Sequence, residues 1–206
     1  MRSRLIELKK KNRKEKKIRT FVAVLLPDAV KAKISEFVRP LRKLPADVKW
    51  VEEENFHLTL KFLGELTEAE VGKLDCLLAG LFTRENAFLL DYGGWGVFPS
   101  RENPRVLWIG LGGDIDYLQE IQGKVEDICA DAGFPRDRKK FHPHITLGRI
   151  RSRGNLEVLL REAQNTLPSE LQGSFLVERI YLMESKLSRS GPLYTPLNFY
   201  PLSRGK

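Results

Sequence analysis

The sequence feature that most constrains the fold is a four-residue pattern, His-x-Thr-Leu, that occurs twice. The first copy spans residues 57–60 and the second spans residues 144–147. Side chains alternate along a β-strand, so each copy would place its histidine and threonine on one face and its two apolar residues on the other. The chain has only three histidines, and two of them occupy this matched position. We therefore expect two related halves, each with a histidine-bearing strand.

The predicted secondary structure also repeats in the two halves. Alternating apolar residues between glycine or proline indicate strands, and apolar residues at intervals of three and four indicate helices. Each half gives strand, helix, strand, helix, strand. The first half has strands at 19–26, 56–63 and 88–98 and helices at 29–44 and 67–82; the second has strands at 106–111, 141–150 and 175–184 and helices at 114–132 and 155–166. Two further short strands are predicted at 48–51 and 194–200.

Three local signals predict where these elements begin or end. Thr67 followed by Glu70 is a capping box, which predicts the start of the second helix. Asp114 is the predicted N-cap of the third helix. Gly64 is expected to end the strand that carries the first histidine.

The alternation and the repeat together predict the fold class. Segments 56–63 and 175–184 alternate strongly, which is typical of antiparallel sheets with one packed and one open face. Two repeats are too few for a solenoid. We expect an α+β fold of two related lobes, each an antiparallel sheet with helices on its outer face, with pseudo-two-fold symmetry around a central cleft. The predicted organisation is a basic N-terminal extension over residues 1–18 and a single bilobal domain over residues 19–206.

Positive charge is concentrated at the N-terminus. The formal net charge is +8, and residues 1–17 supply most of it, with nine lysines and arginines against Glu7 and Glu15. Basic segments bind phosphate backbones by releasing counterions, without reading sequence. A solvated tail with no binding role is the alternative interpretation, and charge alone leaves both open.

Apolar and cysteine content indicate the cellular compartment. No apolar run approaches the roughly 20 residues that span a bilayer, and the N-terminus lacks the apolar segment of a secretory signal. Cys76 and Cys129 lie in stretches with helical spacing, and we expect both to be buried, reduced thiols. We expect a soluble, cytoplasmic protein that does not associate with membranes.

The matched residue pairs suit acid–base chemistry at phosphorus. Histidine has an ordinary pKa near neutrality, so one imidazole can accept a proton while its partner donates one. In-line displacement at phosphorus requires such a pair. The threonine hydroxyls can donate hydrogen bonds to the phosphate oxygens, where charge gathers in the transition state. The candidate residues are His57, Thr59, His144 and Thr146.

These motifs resemble those of the two-histidine phosphoesterases. The segments concerned are Asn-Phe-His-Leu-Thr-Leu-Lys-Phe-Leu-Gly-Glu at 55–65 and Pro-His-Ile-Thr-Leu-Gly-Arg at 143–149. The similarity is greatest to the RNA 2′,3′-cyclic phosphodiesterases, historically called 2′-5′ RNA ligases. It extends through segments 96–99, 104–108 and 190–194 and covers about residues 19 to 202.

The resemblance implies a fold, an activity and a role for each motif residue. It implies a bilobal fold with a water-filled cleft and hydrolysis of a terminal 2′,3′-cyclic phosphate to a 2′-phosphate. By motif position, His57 would donate a proton to the departing 3′ oxygen and His144 would activate water. Thr59 and Thr146 would hold the phosphate. Some relatives also join RNA ends through a 2′-5′ bond.

The resemblance and the residues together give our expectations about partners. The expected partner is RNA with a 2′,3′-cyclic phosphate end. We expect no metal, no cofactor and no membrane contact, and a monomeric protein.

Two further residues are candidate substrate contacts. Arg149 would lie on the face opposite His144 in a regular strand, unless a bulge or the strand end turns it toward phosphate; a structural ion pair is the alternative. Tyr194 could stack on a nucleobase, as could Trp108, although buried packing is the commoner role of such residues.

The third histidine, His142, leaves a zinc site open as an alternative. It lies two residues before His144 and should share its face, where it could touch substrate or lie at a solvent edge. With His57 these residues could form a three-imidazole zinc site. The duplicated threonines would have no role in such a site.

Other functions also fit the sequence. The substrate could be a short 2′-5′ linked oligonucleotide or a small cyclic nucleotide. The chain could instead be an RNA-binding module without catalysis. Simple binding would not need titratable residues at both matched positions, which argues for an enzyme.

Overall fold

Nine strands and four α-helices form the part of the chain that the computed structural model describes, residues 16–165, 171–188 and 191–204. Most of the predicted basic extension, residues 1–15, lies outside the described residues. Lys17 already belongs to the first strand.

The elements follow one another largely as predicted. The strands are β1 (Lys17–Leu25), β2 (Val48–Trp50), β3 (His57–Thr67), β4 (Phe88–Phe98), β5 (Val106–Gly113), β6 (His144–Ile150), β7 (Gln172–Val177), β8 (Arg179–Leu187) and β9 (Pro192–Pro201). The helices are α1 (Asp28–Leu41), α2 (Glu68–Phe82), α3 (Ile115–Asp131) and α4 (Leu156–Asn165). A 3₁₀ turn at Glu53–Asn55 precedes β3.

All the described strands belong to one antiparallel sheet. Its order is β7-β4-β5-β6-β3-β1-β8-β9, and the short β2 pairs with β6. The two histidine-bearing strands, β3 and β6, meet at the centre through the pair Leu58 and Ile145. Counting outward from this pair, β1 corresponds to β5, β8 to β4 and β9 to β7. The predicted α+β class, antiparallel pairing and pseudo-two-fold arrangement are confirmed.

Each half of the chain contributes two strands to the other half of the sheet. β4 comes from the first half but pairs with β5 and β7, and β2 pairs with β6. β8 comes from the second half but pairs with β1, and β9 follows it at the edge of the sheet. The prediction of one strand over 175–184 is therefore wrong, because that segment breaks at Glu178 into β7 and β8. Apolar alternation changes phase between Val177 and Ile180, which is the sequence signal of the break.

The helices pack on one face of the sheet. Leu58 and Ile145 are fully buried in the main core, together with apolar side chains from all four helices. Each such side chain stabilises the fold by about 1.5–3 kcal/mol. Because side chains alternate, the histidine and threonine of each motif face away from the helices. No described helix has both the length and the apolar character needed to cross a membrane.

The predicted helix starts differ in how they are capped. At α2 the capping box is confirmed: the Glu70 backbone N–H donates to the Thr67 hydroxyl at 3.2 Å, and the Thr67 N–H donates to the Glu70 carboxylate at 2.7 Å. Asp114 does precede α3, but its carboxylate accepts from the Leu89 N–H at 2.9 Å instead of capping. That contact joins α3 to β4.

Two further expectations from the sequence are wrong. Gly64 does not end its strand: β3 continues to Thr67, and Gly64 adopts a φ of 80° beside an irregularity in the ladder with β1. Cys76 is exposed, whereas Cys129 is buried as expected. The buried stripe of α2 runs through Leu74, Leu78 and Phe82, which leaves Cys76 on the opposite side of the helix.

Candidate active site

The two His-x-Thr-Leu motifs begin the two central strands of the sheet. His57 is the first residue of β3, and His144 is the first residue of β6. The single residue pair that joins these strands fixes their register. If the antiparallel pairing is extended by one residue on either side, His57 lies across from Thr146 and Thr59 lies across from His144. The two histidines are then diagonal neighbours, whose Cα atoms are typically about 7–8 Å apart.

Each imidazole is held by a backbone carbonyl two residues earlier. Nδ1 of His57 lies 2.7 Å from the carbonyl oxygen of Asn55. Nδ1 of His144 lies 2.7 Å from the carbonyl oxygen of His142. A carbonyl oxygen can only accept, so this hydrogen-bond network assigns a proton to each Nδ1. Nε2 is then the atom of each ring that is available to move a proton.

Thr59 contacts the reactive nitrogen of its own motif. Its hydroxyl oxygen lies 3.0 Å from Nε2 of His57. With Nδ1 protonated, a neutral imidazole accepts this hydrogen bond from the hydroxyl, and a protonated imidazole donates it. A phosphate oxygen placed beside Nε2 could therefore contact both groups.

Burial lowers the pKa of both imidazoles. For His57 the Asn55 carbonyl partly offsets the effect of burial, and the charge of His144 lowers the pKa further. For His144 the carbonyl of His142 opposes burial, whereas the charges of Arg149 and His142 add to it. The effect of His144 on His57 indicates that the rings are close enough to sense each other's charge.

Arg149 lies on the same face of the sheet as His144. Their spacing of five residues would put them on opposite faces of a regular strand. Residues 146 and 148 pair with consecutive residues of β5, so Leu147 is an extra residue in β6. Such a bulge reverses the alternation beyond it. Arg149 therefore lines a groove on this face, and its charge reaches His144.

Aromatic rings lie against both histidines. Tyr194 meets His57 edge-on, with centroids 5.1 Å apart and planes at 82°. Phe98 meets His144 in the same way, at 5.1 Å and 84°. Trp108 stacks on Phe98 at 4.9 Å. Of the two candidate base-stacking residues, Tyr194 thus packs against His57, and Trp108 packs against the ring that contacts His144.

His142 contributes mainly through its backbone. Its carbonyl orients His144, while its side chain is exposed, with the ring centroid 6.1 Å from that of Phe98. Within residues 16–165, 171–188 and 191–204, no group of three or more His, Cys, Asp or Glu side chains is placed to hold a metal ion. The three-imidazole site considered from the sequence has no matching cluster there.

Asn55 and Phe21 are site residues that the sequence analysis missed. The Asn55 carbonyl orients His57, and its side-chain amide donates to the carbonyl of Pro192 at 3.1 Å, which ties the start of β9 to the histidine. The Phe21 ring lies 5.1 Å from both His57 and Tyr194. Asn55 lies next to the motif in the sequence, but these contacts depend on long-range pairing that no local pattern encodes.

The fold and the paired motifs together define a two-histidine phosphoesterase. The model of the LigT-like phosphoesterase family matches residues 24–108 and, in a second segment, residues 111–194. The chain belongs to this family. The two matched segments each contain one His-x-Thr-Leu motif.

Curated relatives share most of the chain. It is 39% identical over 150 residues to the RNA 2′,3′-cyclic phosphodiesterase of Aeropyrum pernix. That alignment covers 73% of this chain and 84% of the relative. It is 34% identical over 183 residues to the protein of the same name from Aquifex aeolicus. That alignment covers 87% of this chain and 95% of the relative.

Solved structures share the fold. A crystal structure of Escherichia coli LigT in complex with 3′-AMP superposes with a TM-score of 0.75 at 26% identity, over 92% of this chain and 100% of that one. A crystal structure from Thermus thermophilus gives a TM-score of 0.70 at 30% identity, also over 92% of this chain and 100% of that one.

Proposed function

We propose that this protein hydrolyses the 2′,3′-cyclic phosphate at the end of an RNA to a 2′-phosphate, without a metal ion. The observation that carries the proposal is the placement of two identical motifs at the starts of adjacent central strands. Relatives named RNA 2′,3′-cyclic phosphodiesterase support the choice of substrate.

In this proposal His144 is the general base. Burial and the nearby charge of Arg149 favour its neutral form by lowering its pKa, and its Nδ1 proton is occupied by the His142 carbonyl. The lone pair on Nε2 is then free to take a proton from a water molecule. The water oxygen forms a bond to phosphorus on the side opposite the 3′ oxygen.

His57 is the general acid in the same step. As the bond between phosphorus and the 3′ oxygen breaks, Nε2 of His57 gives that oxygen a proton and leaves a 3′ hydroxyl beside a 2′-phosphate. Burial lowers the pKa of free His57, so the proton must be stabilised by the bound substrate. The negative phosphate does this, because an adjacent anion favours the charged imidazole.

Thr59 and Thr146 bind the non-bridging phosphate oxygens in the proposed complex. Thr59 is already within hydrogen-bond distance of the His57 nitrogen that would face the phosphate. Arg149 adds a positive charge on the His144 side. These donors would stabilise the charge that develops in the transition state.

Ligation would use the same acid and base with a different nucleophile. A 5′ hydroxyl takes the place of water: its oxygen bonds to phosphorus, His144 takes its proton, and the bond to the 3′ oxygen breaks as His57 protonates that oxygen. The products are a 2′-5′ phosphodiester and a 3′ hydroxyl, and attack by that 3′ hydroxyl on the phosphodiester reverses the reaction. We propose hydrolysis as the main reaction because water is always present in an open groove.

The test is product identification with matched histidine variants. RNA ending in a 2′,3′-cyclic phosphate is offered with chelator present, and we expect a 2′-phosphate product. His57→Ala and His144→Ala should each lower kcat by about 10²- to 10⁴-fold while RNA affinity is retained. His142→Ala is the control, and we expect its kcat to stay near that of the wild type.

Each alternative predicts a different result. A zinc enzyme would lose activity with chelator and with His142→Ala. A binding module would bind RNA without turnover. Loss of RNA affinity in parallel with turnover in the two central histidine variants would mark those residues as structural.

A further inference from the structure

A groove next to His57 is lined by strands from both halves of the sheet. It has a volume of about 470 Å³, and β1, β2, β3, β6 and the β8–β9 connection contribute to it. Beside His57 its walls are Phe21 and Tyr194, which contact the imidazole ring. Arg19 lines it on the same face of β1, two residues beyond Phe21. The groove therefore extends past the place where the reacting phosphate would lie.

Two arginines from different halves of the sheet meet in this groove. Arg19 comes from β1 and Arg149 from β6, and both are exposed. Neither has an ion-pair or side-chain hydrogen-bond partner among the residues that the structure describes. The charges of both act on the Tyr194 hydroxyl, where they oppose the burial that raises its pKa. Two guanidinium groups without carboxylate partners, close to one hydroxyl, are suited to binding an anion.

Acidic residues of the groove leave this charge largely uncompensated. Glu52 and Glu54 also line it. The Glu52 carboxylate is paired with Arg42 at 2.9 Å. Lys49, across the ladder from Arg149, adds a third exposed cation to the wall.

The groove also exposes apolar side chains. Phe62 is 56% exposed, Leu187 73% and Leu193 57%, and all three line it. Exposed apolar groups next to cations are typical of sites for single-stranded nucleic acid, where bases contact the apolar groups and phosphates contact the cations. The combination fits an RNA chain better than a mononucleotide.

We propose that Arg19, together with Arg149, binds the phosphodiester that joins the terminal nucleoside to the preceding nucleotide of the RNA. The proposal rests on the proposed function, which places the cyclic phosphate at the histidines. Arg19 precedes Phe21 by two strand residues, roughly 6.8 Å, so its long side chain can reach the next phosphate of a chain that ends at His57. The preferred substrate is therefore an RNA end of two or more nucleotides.

The test compares two dinucleotides that differ only in linkage charge. Both end in a 2′-phosphate; one carries the natural phosphodiester and the other a neutral methylphosphonate. Calorimetry should show that the wild-type protein binds the phosphodiester about tenfold more tightly. In Arg19→Ala this ratio should fall several-fold, because one of the two guanidinium groups that bind the charged linkage has been removed.

Arg179→Ala is the matched control. Arg179 is an exposed arginine at the start of β8, whereas Leu187, at the end of β8, lines the groove. Its guanidinium lies over the Phe199 ring, and it does not line the groove. Arg179→Ala should therefore keep the tenfold ratio. The inference is overturned if Arg19→Ala keeps the wild-type ratio, or if the wild-type protein shows no preference. Failure of the proposed function would be seen separately, as no hydrolysis of a cyclic-phosphate dinucleotide by the wild-type protein.

Discussion

At the scale of single residues, the two motifs match where the chemistry needs a pair and differ elsewhere. The fifth residue after the histidine is Phe62 in the first motif and Arg149 in the second. Both follow an irregularity in the ladder, and both line the groove. The charge of Arg149 lowers the pKa of His144. Phe62 carries no charge and has no equivalent effect on the pKa of His57. This asymmetry suits a base on one side and an acid on the other.

The pH dependence of kcat/KM tests these roles. Burial lowers the pKa of both free imidazoles below 6.5. Activity requires neutral His144 and protonated His57, so we expect a bell-shaped profile whose two limbs are both displaced to the acid side of an ordinary histidine. The falling limb of kcat should lie at higher pH, because the bound phosphate stabilises protonated His57.

An Arg149 variant separates the two limbs. Arg149→Met removes a positive charge that lowers the pKa of His144, so the limb that reports His144 should move to higher pH while the limb that reports His57 moves less. An optimum well above neutrality, or limbs that do not move in this variant, would contradict the assigned roles.

The histidines could be predicted from the sequence, whereas the position of Arg149 could not. The motif repeat alone singled out His57 and His144, because strand periodicity puts each beside its threonine. The face on which Arg149 lies depends on the bulge at Leu147, and that bulge exists only in the pairing with β5. A local pattern carries no information about this partner.

At the scale of elements, the fourth residue after each histidine shows what each central strand packs against. Lys61 is 1% exposed, and its Nζ lies 2.8 and 2.9 Å from the carboxylate oxygens of Glu126 on α3. It also donates to the carbonyl of Pro135 at 3.0 Å. The equivalent Gly148 has no room for a side chain, since a Cβ would come within 2.6 Å of Val48 on β2. Lys61 thus joins β3 to α3 and to the segment leading to β6.

Removing one partner of the buried ion pair should destabilise the protein. Lys61→Met leaves the Glu126 carboxylate buried without its cation, and we expect the free energy of unfolding to fall by about 3–5 kcal/mol. The double variant Lys61→Met with Glu126→Leu should recover most of this loss. Urea denaturation measures both.

A surface pair provides the control for this experiment. Arg204→Met removes the partner of Glu178 at an exposed site, and we expect a loss of about 1 kcal/mol or less. If the double variant is as unstable as Lys61→Met alone, the buried charge is not the cause of the loss.

Most elements could be predicted because their signals are local. The capping box at Thr67 fixed the start of α2, and the phases of α1, α3 and α4 followed their apolar stripes. The break at Glu178 was missed because apolar and polar residues alternate on both sides of it. The break shows only as a shift of this alternation by one residue, between Val177 and Ile180. The continuation of β3 past Gly64 depends on pairing with β1, which supplies hydrogen bonds that glycine propensity does not predict.

At the scale of the whole molecule, strand exchange joins the two halves into one sheet. The repeat predicted two related halves, but not that β4 and β8 cross between them. That exchange is set by long-range pairing. The groove also spans both halves, since β1 and β6 each contribute an arginine to it.

The basic N-terminal segment gives a prediction at this scale. Residues 1–15 carry seven lysines and arginines against two glutamates, and β1 begins at Lys17 near Arg19. Deleting residues 1–15 should weaken affinity for long RNA and reduce its salt dependence, by about two or more units in the slope of log affinity against log salt. Hydrolysis of a cyclic-phosphate dinucleotide should not change. Titrations at several salt concentrations measure the slope, and an unchanged slope would assign the segment no role in RNA binding.

The most direct measurement of the central claim is an NMR titration of the imidazole nitrogens. The chain has only three histidines, so the ¹⁵N signals of His57, His142 and His144 can be followed separately. On addition of a dinucleotide ending in a 2′-phosphate, we predict that the Nε2 signals of His57 and His144 shift together at one affinity, that the pKa of His57 rises, and that His142 changes little. A response from only one of the two central histidines, or none, would contradict a single phosphate held between them.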